Sequence, residues 1–404
     1  MRGSAGIRGG TAGPGGVPTP PQGPRGRLLR WIALGMALLV LAGAAAGWWL
    51  YRKLEGNIRA DSSAAAELQL YERERPRHLG DGAQNILIIG SDTRSGKDNA
   101  HYGQDKGTQR SDTAILLHLP ADRRSATAVS IPRDLVTEIP ACLTAGGSRT
   151  EAQRAQFNWA YEWGGAACTV RTVEKLSGIR IDHHMVLDFG GFKKMVDAVG
   201  GVEVCLKQPM DDPEAKLRLP AGRRLLHGEQ ALGFVRARYS LGDGSDTERM
   251  RRQQQFLGAL VQKVQSNGVL LNPGRLYPLL DAATSAVTTD PGLATLRGLY
   301  ELVRGVRDVP TDQVRFLTVP RRPYAADPNR DELVEPDADR LFLQLRTDRP
   351  LTVVPPSPTG PQPPAGPSPT DGPRTVYPWL VGTGVPPSPV PTFTGTTADN
   401  PGCR

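Results

Sequence analysis

Residues 85–94 read Asn-Ile-Leu-Ile-Ile-Gly-Ser-Asp-Thr-Arg, an apolar run that stops at a glycine and is followed by polar and charged residues. Two more short apolar runs follow at residues 114–119 and 126–131, and each is bounded by Gly, Pro or Asp. Runs of this length and composition predict buried strands. We expect these three strands to form an antiparallel meander.

The rest of this region alternates between helical and strand-like patterns. Strands interleaved with helices predict an α/β or α+β domain whose sheet is buried between helices. Apolar residues at helical spacing predict helices at 150–163, 167–177, 192–199, 247–266, 293–306 and 338–345, and short apolar runs predict strands at 181–187, 202–206, 233–238 and 314–319.

An uncharged segment precedes this domain at residues 31–51. A helix of about 21 residues spans the roughly 30 Å hydrocarbon core of a bilayer, so we expect a transmembrane helix; a cleavable signal peptide is the alternative. The expected organisation is a disordered cytoplasmic tail at 1–27, the membrane helix at 28–51, a stalk at 52–82, the catalytic domain at 83–347 and a Pro-rich disordered tail at 348–404.

The net charge of +8 and the isoelectric point near 9.4 fit a partner that is anionic, whether nucleic acid, lipid or a phosphorylated substrate. The bias towards Gly, Ala, Pro and Arg that a GC-rich genome produces explains the same excess. Cys142 and Cys168 flank a predicted helical stretch and suit a disulfide, which persists in an oxidising compartment; two unpaired buried cysteines are the alternative. Cys205 lies in an apolar run and is interpreted as a small core residue.

The predicted meander gathers charged residues at one edge of the sheet. The first strand ends near Asp92, the second begins near Asp112, and the third ends near Arg133 and Asp134. Two carboxylates at such an edge suit Mg²⁺, with Mn²⁺ as a second choice, and leave coordination positions for phosphate oxygens. Aspartates that only cap turns are the alternative.

Arginines lie at the ends of several predicted elements. Arg236 and Arg238 are two positions apart on a predicted strand, so they share a face and suit two oxygens of one diphosphate; a solvated strand face is the alternative. Asp246 is expected to cap the next helix, with Arg249 in its first turn, whereas Arg251 and Arg252 are interpreted as solvated. Six guanidiniums in one cleft would repel one another unless a polyanion joined them: Arg94, Arg110, Arg133, Arg236, Arg238 and Arg249.

Several other kinds of site lack support in the sequence. There is no Cys-x-x-Cys pair, no Walker phosphate loop and no Gly-x-Ser-x-Gly elbow, so zinc sites, P-loop hydrolysis and serine esterase chemistry are not indicated. His183 and His184 are adjacent on a predicted strand and would point to opposite faces, which makes a poor metal pair.

With these residues in place, residues 83–345 resemble the LytR-CpsA-Psr family of cell-wall glycopolymer ligases. The motifs occur in the family's order: Asn85-Ile-Leu-Ile-Ile-Gly-Ser-Asp-Thr-Arg94, Arg110-Ser-Asp-Thr113, Ser130-Ile-Pro-Arg-Asp-Leu135, Asn158-x-Ala-Tyr161, Gly200-Gly-Val202, Gly228-Glu-Gln-Ala-Leu232, Val235-Arg-Ala-Arg238, Ser245-Asp-x-x-Arg249 and Arg252-Gln-Gln254.

The resemblance implies an αβα sandwich with a central mixed sheet, exported and tethered by the N-terminal helix, that transfers a glycopolymer from a polyprenyl pyrophosphate carrier to the C6 hydroxyl of muramic acid in peptidoglycan. It implies Asp92 and Asp112 as Mg²⁺ ligands. It implies Arg94, Arg133, Arg238 and Arg249 as pyrophosphate contacts, with Arg110 and Arg236 beside them. Arg133 is also a candidate catalytic residue, and Asp134 and Asp246 are the candidate bases.

Three other functions are compatible with the sequence. Water in place of the acceptor would make the chain a polyprenyl-pyrophosphate hydrolase. A membrane-bound transcription regulator or attenuator would need its large domain inside the cell, but the sequence contains no convincing helix-turn-helix and we expect no nucleic-acid partner. A noncatalytic wall-binding protein would not need the aspartates and arginines.

Overall fold

A computed structural model describes residues 24–78, 82–91, 111–237, 246–266, 273–355 and 390–399. The chain divides into two compact units after Lys53. The first unit contains most of helix α1, Pro24–Asn57. Within the described residues, one helical stretch, Leu28–Asn57, is long and apolar enough to cross a membrane, with a mean hydropathy of 2.0.

The second unit is built on the predicted meander, which is confirmed. Strands β2 (Gln84–Ser91), β3 (Ser111–Leu119) and β4 (Ala126–Ile131) pair as antiparallel neighbours. Their side chains are largely buried because they alternate between two apolar layers. On β2, Leu87 and Ile89 pack in one core cluster, whereas Ile86 packs in another.

Parallel strands extend this meander on both sides, so the sheet is mixed. Strand β7 (His183–Asp188) pairs parallel to β2, and β13 (Val314–Thr318) pairs parallel to β4. The sheet has nine strands in the order β1-β12-β7-β2-β3-β4-β13-β17-β16. Its remaining members are β1 (Arg59–Ala60), β12 (Val287–Thr289), β16 (Thr352–Val354) and β17 (Thr392–Thr397).

Helices cover both faces, as the sandwich prediction requires. Helices α2 (Ser62–Leu70), α3 (Trp159–Ser177) and α9 (Asp337–Arg346) contribute to the core cluster that contains Leu87. The other face carries α4 (Phe189–Ala198), α5 (Gly228–Arg236), α6 (Asp246–Ser266), α7 (Pro273–Ala286) and α8 (Leu296–Arg307).

Two predicted elements are wrong. Residues 150–163 do not form one helix, because β6 (Gln153–Gln156) pairs with β5 (Val136–Ile139) and α3 begins only at Trp159. Residues 233–238 do not form a strand, because α5 continues to Arg236.

The remaining short strand pairs are β8 (Val202–Leu206) with β11 (Gly222–Leu226), β9 (Met210–Asp212) with β10 (Leu217–Leu219), and β14 (Arg321–Tyr324) with β15 (Asp327–Leu333).

The C-terminal segment also differs from the expected disordered tail. Two parts of residues 348–404 are ordered strands, since β17 pairs antiparallel with β13 and parallel with β16. Phe393 and Ala398 are buried there. The sheet therefore includes a strand that follows a Pro-rich segment of the sequence.

The predicted disulfide is present, and it joins Cys142 to Cys168. Both cysteines are fully buried beside Ile139 and Ala160. Gly164 is packed so closely against Cys168 that a Cβ atom there would lie 2.8 Å from the cysteine Cβ. Cys205, expected to be a small core residue, is buried and is itself disulfide-bonded; its partner lies outside the described residues.

Candidate active site

The candidate site lies at the edge of the sheet where β2 ends, β3 begins and β4 ends. The pairing of Ser91 with Ser111, and of Ala114 with Ile131, brings these three strand ends together. Asp92, Arg94, Arg110 and Arg238 lie outside the described residues, so their predicted roles stay predictions. Six of the predicted site residues lie in the described part of the chain: Asp112, Arg133, Asp134, Arg236, Asp246 and Arg249.

Arg133 is the centre of the charge cluster. Its Nη1 donates to Asp112 Oδ1 at 2.9 Å, and its Nε donates to Asp134 Oδ2 at 3.2 Å. Asp246 Oδ1 lies 3.9 Å from the same Nε. Burial disfavours the charged guanidinium, but the carboxylates of Asp134, Asp112 and Asp246 outweigh it and raise the pKa of Arg133. The guanidinium is thus held in one orientation by three carboxylates from different elements.

Asp246 and Arg249 form a second ion pair at the start of α6. Their Oδ1 and Nη2 atoms are 2.5 Å apart, and the Arg249 side chain is only 5% exposed. Arg249 also donates from Nη2 to the backbone carbonyl of Asp112 at 3.4 Å. The first turn of α6 is therefore attached to β3, and Arg249 lies in that turn as predicted.

A cavity of about 400 Å³ opens beside these charges, between the sheet and helices α4, α5 and α6. Asp112, Arg133 and Arg249 line it together with Arg236. Most of the remaining lining is apolar: Ile88, Ile115, Leu187, Phe189, Phe192, Leu232, Val235, Phe256 and Leu257. The cavity thus combines an apolar interior with three guanidinium groups and with the carboxyl groups of Asp112, Asp188, Asp212 and Glu214, an arrangement that suits an amphiphile with a charged head group.

Arg236 reaches this cavity by a route different from the predicted one. It ends helix α5, and its guanidinium lies 4.7 Å from the ring centroid of Phe189 at the start of α4. The predicted shared strand face with Arg238 is wrong, because residues 228–236 are helical. The cation–π contact places Arg236 at the cavity by stacking on the neighbouring helix.

Sequence reasoning missed several residues that hold the site in place. Gln253 Nε2 donates to Thr113 Oγ1 and to the carbonyl of Val235, both at 3.2 Å. Gln156 Nε2 donates to Asp134 Oδ1 at 3.1 Å. Gln156 belongs to the segment predicted to be helical, so its approach to Asp134 had no signal in the sequence.

Arg252, predicted to be solvated, is buried instead. Its Nη2 donates to the carbonyl of Ala237. The neighbouring Gln254 Nε2 donates to Ser130 Oγ at 3.2 Å and to Thr318 Oγ1 at 3.1 Å, which joins α6 to β4 and β13. The Arg-Gln-Gln motif could have signalled this, since three long polar side chains in succession near the start of an amphipathic helix cannot all face solvent.

The described residues offer part of a divalent-metal site. Asp112 supplies carboxylate oxygens at the cavity, which are the hard ligands that Mg²⁺ prefers. Among the described residues, no group of three or more acidic, His or Cys side chains is arranged to hold a metal ion. Asp92, the second expected ligand, lies outside them. Asp112, which accepts a hydrogen bond from Arg133, is thus the one expected metal ligand that lies in the described part of the site.

Residues 54–342 match the LytR_cpsA_psr family. The chain is 34% identical over 278 residues to LcpB, a probable cell wall biosynthesis protein of Corynebacterium glutamicum. The aligned region covers 67% of this chain and 60% of LcpB. It is 27% identical over 298 residues to TagT of Bacillus subtilis, a polyisoprenyl-teichoic acid–peptidoglycan teichoic acid transferase, covering 71% of this chain and 86% of TagT. The chain thus spans about 60% of the length of its corynebacterial relative.

Solved structures share the fold. Bacillus subtilis TagV superposes with a TM-score of 0.51 at 24% identity, covering 67% of this chain and 100% of TagV. A LytR-Csp2A-Psr enzyme from Actinomyces oris gives a TM-score of 0.51 at 23% identity, covering 67% of this chain and 93% of that enzyme. The mixed sheet between two helical layers is therefore the architecture of these proteins.

Proposed function

The chain belongs to the LytR-CpsA-Psr family, and from this premise we propose that it is a membrane-anchored phosphotransferase. It transfers a glycopolymer from a polyprenyl pyrophosphate carrier to the C6 hydroxyl of muramic acid in peptidoglycan and releases polyprenyl phosphate. The curated relatives support this class of reaction, because they are named as cell wall biosynthesis proteins and as teichoic acid transferases that act on peptidoglycan.

One observation carries the proposal: an apolar cavity and a cluster of fixed arginines share the same walls. The apolar interior suits a polyprenyl chain, since burying each CH₂ group contributes about 0.8 kcal/mol. Arg133, Arg236 and Arg249 line that cavity and suit the pyrophosphate at the end of the chain. A nucleotide hydrolase or an esterase would not need both features in one space.

The chemistry follows from where these charges lie. The acceptor hydroxyl oxygen attacks the phosphorus next to the sugar, a new P–O bond forms, and the bond from that phosphorus to the bridging oxygen breaks. Polyprenyl phosphate leaves with that oxygen. Arg133 and Arg249 stabilise the negative charge that develops on the phosphoryl oxygens, because they are already oriented by Asp112 and Asp246.

The acceptor proton needs a carboxylate within reach. Asp134 and Asp246 lie on the side of Arg133 that faces away from the apolar cavity, where they line a second, polar cleft. Asp246 Oδ2 is buried, with no hydrogen-bond partner in the described part of the chain. Both residues are therefore candidates for the base, and both lie where an acceptor from the polar side would arrive.

We propose Mg²⁺ as the cofactor, with Mn²⁺ as the substitute, held by Asp112 and by Asp92. When bound it would neutralise part of the pyrophosphate charge. Asp112 remains oriented for this role by its hydrogen bond to Arg133. Chelation should abolish transfer, and either ion should restore it.

We also propose that the large domain lies outside the cytoplasm and is anchored by the N-terminal helix. The Cys142–Cys168 disulfide supports this orientation, because such bonds persist in oxidising compartments. Protease added to intact cells should digest the domain. Protection of the domain would instead favour a regulator inside the cell.

The decisive test is product analysis with the full chain in detergent. Incubation with a lipid-linked glycan, a peptidoglycan acceptor and Mg²⁺ should yield glycan joined to the acceptor through a phosphodiester. Soluble phosphorylated glycan without any joined product would show a hydrolase, and no product of either kind would overturn phosphotransfer. Arg133→Ala provides the inactive control.

A further inference from the structure

We propose that Arg321 and Asp331 are positioning residues, which hold together the two chain segments that carry the candidate bases. These segments are residues 133–135, with Asp134, and the first turn of α6, with Asp246. Arg321 and Asp331 belong to hairpin β14–β15 and lie outside the sequence motifs that the chain shares with its family. Their catalytic effect rests on the proposed function, whereas the contacts that join the two segments do not.

The backbone of Asp331 contacts the first of these segments. Its amide donates to the carbonyl of Asp134 at 3.2 Å, and Asp331 forms an isolated parallel bridge with Leu135. The carboxylate of Asp134 is held separately, since Gln156 donates to its Oδ1 and Arg133 to its Oδ2. A shift of β15 would therefore move the backbone of Asp134 relative to the partners of its side chain.

The side chain of Arg321 connects Asp331 to the second segment. Its Nη1 donates to Asp331 Oδ1, and its Nη2 donates to the hydroxyl of Thr247. Thr247 directly follows Asp246 in the first turn of α6. A guanidinium holds two partners at once because its N–H groups form a planar fork of fixed geometry. One side chain thus links the hairpin to the residue beside the second candidate base.

The hairpin is itself fixed to the central sheet. The amide of Val319, two residues before Arg321, donates to the carbonyl of Ser130 on β4 at 3.1 Å. Strand β4 leads directly to Arg133, the residue at the centre of the charge cluster. Arg321 therefore starts from a position that is set by the same strand as Arg133.

Burial distinguishes the Arg321–Asp331 pair from its neighbour on the same hairpin. The side chains of Arg321 and Asp331 are 15% and 9% exposed, whereas those of the adjacent cross-strand pair, Arg322 and Glu332, are 66% and 19% exposed. Successive side chains of a strand point to opposite faces, so adjacent residues of one hairpin differ in their surroundings. An ion pair with an exposed partner contributes little, but breaking a buried one leaves a charge without its counterion.

The electrostatics of Asp331 agree with this arrangement. Burial raises the pKa of Asp331, Arg321 opposes this shift, and the carboxylates of Asp246 and Asp134 add to it. The three carboxylates are therefore close enough to repel one another. Without Arg321, the charge of Asp331 would repel the two segments that Arg321 now joins.

Steady-state kinetics of the full chain in detergent test this role. Arg321→Gln should lower kcat about ten- to a hundredfold, because a displacement of about 1 Å in a catalytic site costs on the order of 10²-fold. The KM values for lipid-linked glycan and for peptidoglycan should change less than about twofold, because a positioning residue affects the chemical step rather than binding. Asp331→Asn should act in the same direction. Glu332→Gln, the adjacent carboxylate in the more exposed pair, is the matched control and should leave kcat unchanged.

Thr247 offers a second test that removes no charge. Thr247→Val deletes the hydroxyl that accepts from Arg321 and should lower kcat several-fold, whereas Thr247→Ser keeps the hydroxyl and should retain the activity. The double variant Arg321→Gln/Thr247→Val should be no slower than Arg321→Gln alone, because both changes remove the same connection. The two Thr247 variants decide the question if Arg321→Gln fails to fold.

Amide hydrogen exchange provides a readout that does not depend on turnover. Arg321→Gln and Thr247→Val should accelerate exchange in peptides that cover residues 132–136 and 246–251 and leave β2 and β3 unchanged. The proposal is overturned if kcat and the exchange of both segments match the unmodified chain, if only KM changes, or if exchange rises equally throughout the domain. An unmodified chain that transfers no glycan would refute the proposed function, and faster exchange in the two segments would still show that Arg321 joins them.

Discussion

Arg133 donates to Asp112 across 2.9 Å, so one ion pair joins the residue that follows β4 to the start of β3 at the edge of the sheet that borders the cavity. Arg133→Ala should lower the transfer rate about 10²–10³-fold, the usual cost of losing one oriented group that stabilises transition-state charge. Arg133→Lys should recover little, because an ammonium cannot hold Asp112 and Asp134 in the same fork geometry.

The rate of glycan transfer to peptidoglycan checks this expectation. Arg297→Ala, which removes a largely exposed cation from α8, serves as the control for net charge. Activity of Arg133→Ala within twofold of the unmodified chain would contradict the role of this residue.

Helix α6 offers a matched pair of ion pairs for a stability test. Asp246–Arg249 and Glu248–Arg251 both have i,i+3 spacing and 2.5 Å separations, but the arginine side chains are 5% and 52% exposed. Asp246→Asn should lower the free energy of unfolding by about 2–3 kcal/mol because it removes a carboxylate that is paired with the buried guanidinium of Arg249. Glu248→Gln should cost less than about 0.5 kcal/mol.

Urea unfolding of the two variants measures the difference directly. Equal losses would show that Arg249 does not depend on Asp246.

The apolar cavity predicts a dependence on lipid length. Ala215 lines it, so Ala215→Phe should shorten the space available to the carrier. Excluding two CH₂ groups from burial would cost about 1.6 kcal/mol, or roughly a 15-fold loss in kcat/KM for long-chain donors. Short-chain donors should be affected much less.

A series of donors with increasing numbers of isoprene units provides the measurement. Ala221→Phe, on an exposed turn before β11, is the size-matched control. An equal loss for every chain length would mean that Ala215 does not limit the lipid.

The meander was predictable because its three strands are buried on both faces and therefore form continuous apolar runs. The same pattern predicted that Asp112 and Arg133 lie close together, because antiparallel pairing places the start of β3 beside the end of β4. The parallel neighbours β7 and β13 contribute to the same sheet, but their order is set by long crossovers that local pattern does not encode.

The errors arose where tertiary contacts outweigh local pattern. Phe234 and Val235 are residue types that favour strands. In the structure they belong to helix α5, and Phe234 is fully buried in the core cluster that contains Phe256. Residues 153–156 pair with β5, a contact across the intervening loop that the helical spacing of their apolar residues does not reveal. Strand β17 was not predicted, because its Thr-rich segment follows a Pro-rich stretch whose composition predicts disorder.

The disulfide makes a quantitative prediction about stability. It closes a loop with a sequence separation of 26, for which the loss of chain entropy in the unfolded state is worth about 3.5 kcal/mol. Replacing both Cys142 and Cys168 with alanine should lower the free energy of unfolding by about this amount without burying a new polar group.

Equilibrium urea unfolding under non-reducing conditions tests this value. A loss below about 1 kcal/mol would show that packing around Ile139 and Ala160 holds the segment without the crosslink.

Asp61 predicts an acid-sensitive part of the domain. The His184 imidazole, whose Nε2 lies 3.6 Å from Asp61 Oδ2, lowers the pKa of Asp61 to about 2 from 3.8, and hydrogen bonds from the Ala64 amide and the Ser63 hydroxyl add to this effect. Because the folded pKa lies below the unfolded one, the stabilisation is present above about pH 4 and is lost as the pH falls towards 2. The loss should be on the order of 1–2 kcal/mol, since the carboxylate is partly exposed and screened.

The difference in unfolding free energy between the unmodified chain and Asp61→Asn isolates this contribution. It should be largest near neutral pH and should vanish near pH 2. A difference that stays constant over this range would attribute the effect to the lost helix cap alone.

The position of β17 also sets the order of events during synthesis. Strand β13 pairs with β4 on one side and with β17 on the other, but β17 emerges more than 70 residues after β13 ends. Until those residues arrive, β13 presents an unpaired edge, which is the kind of surface on which nascent chains associate wrongly. A chaperone that shields this edge would therefore bind the newly synthesised chain and not the folded protein.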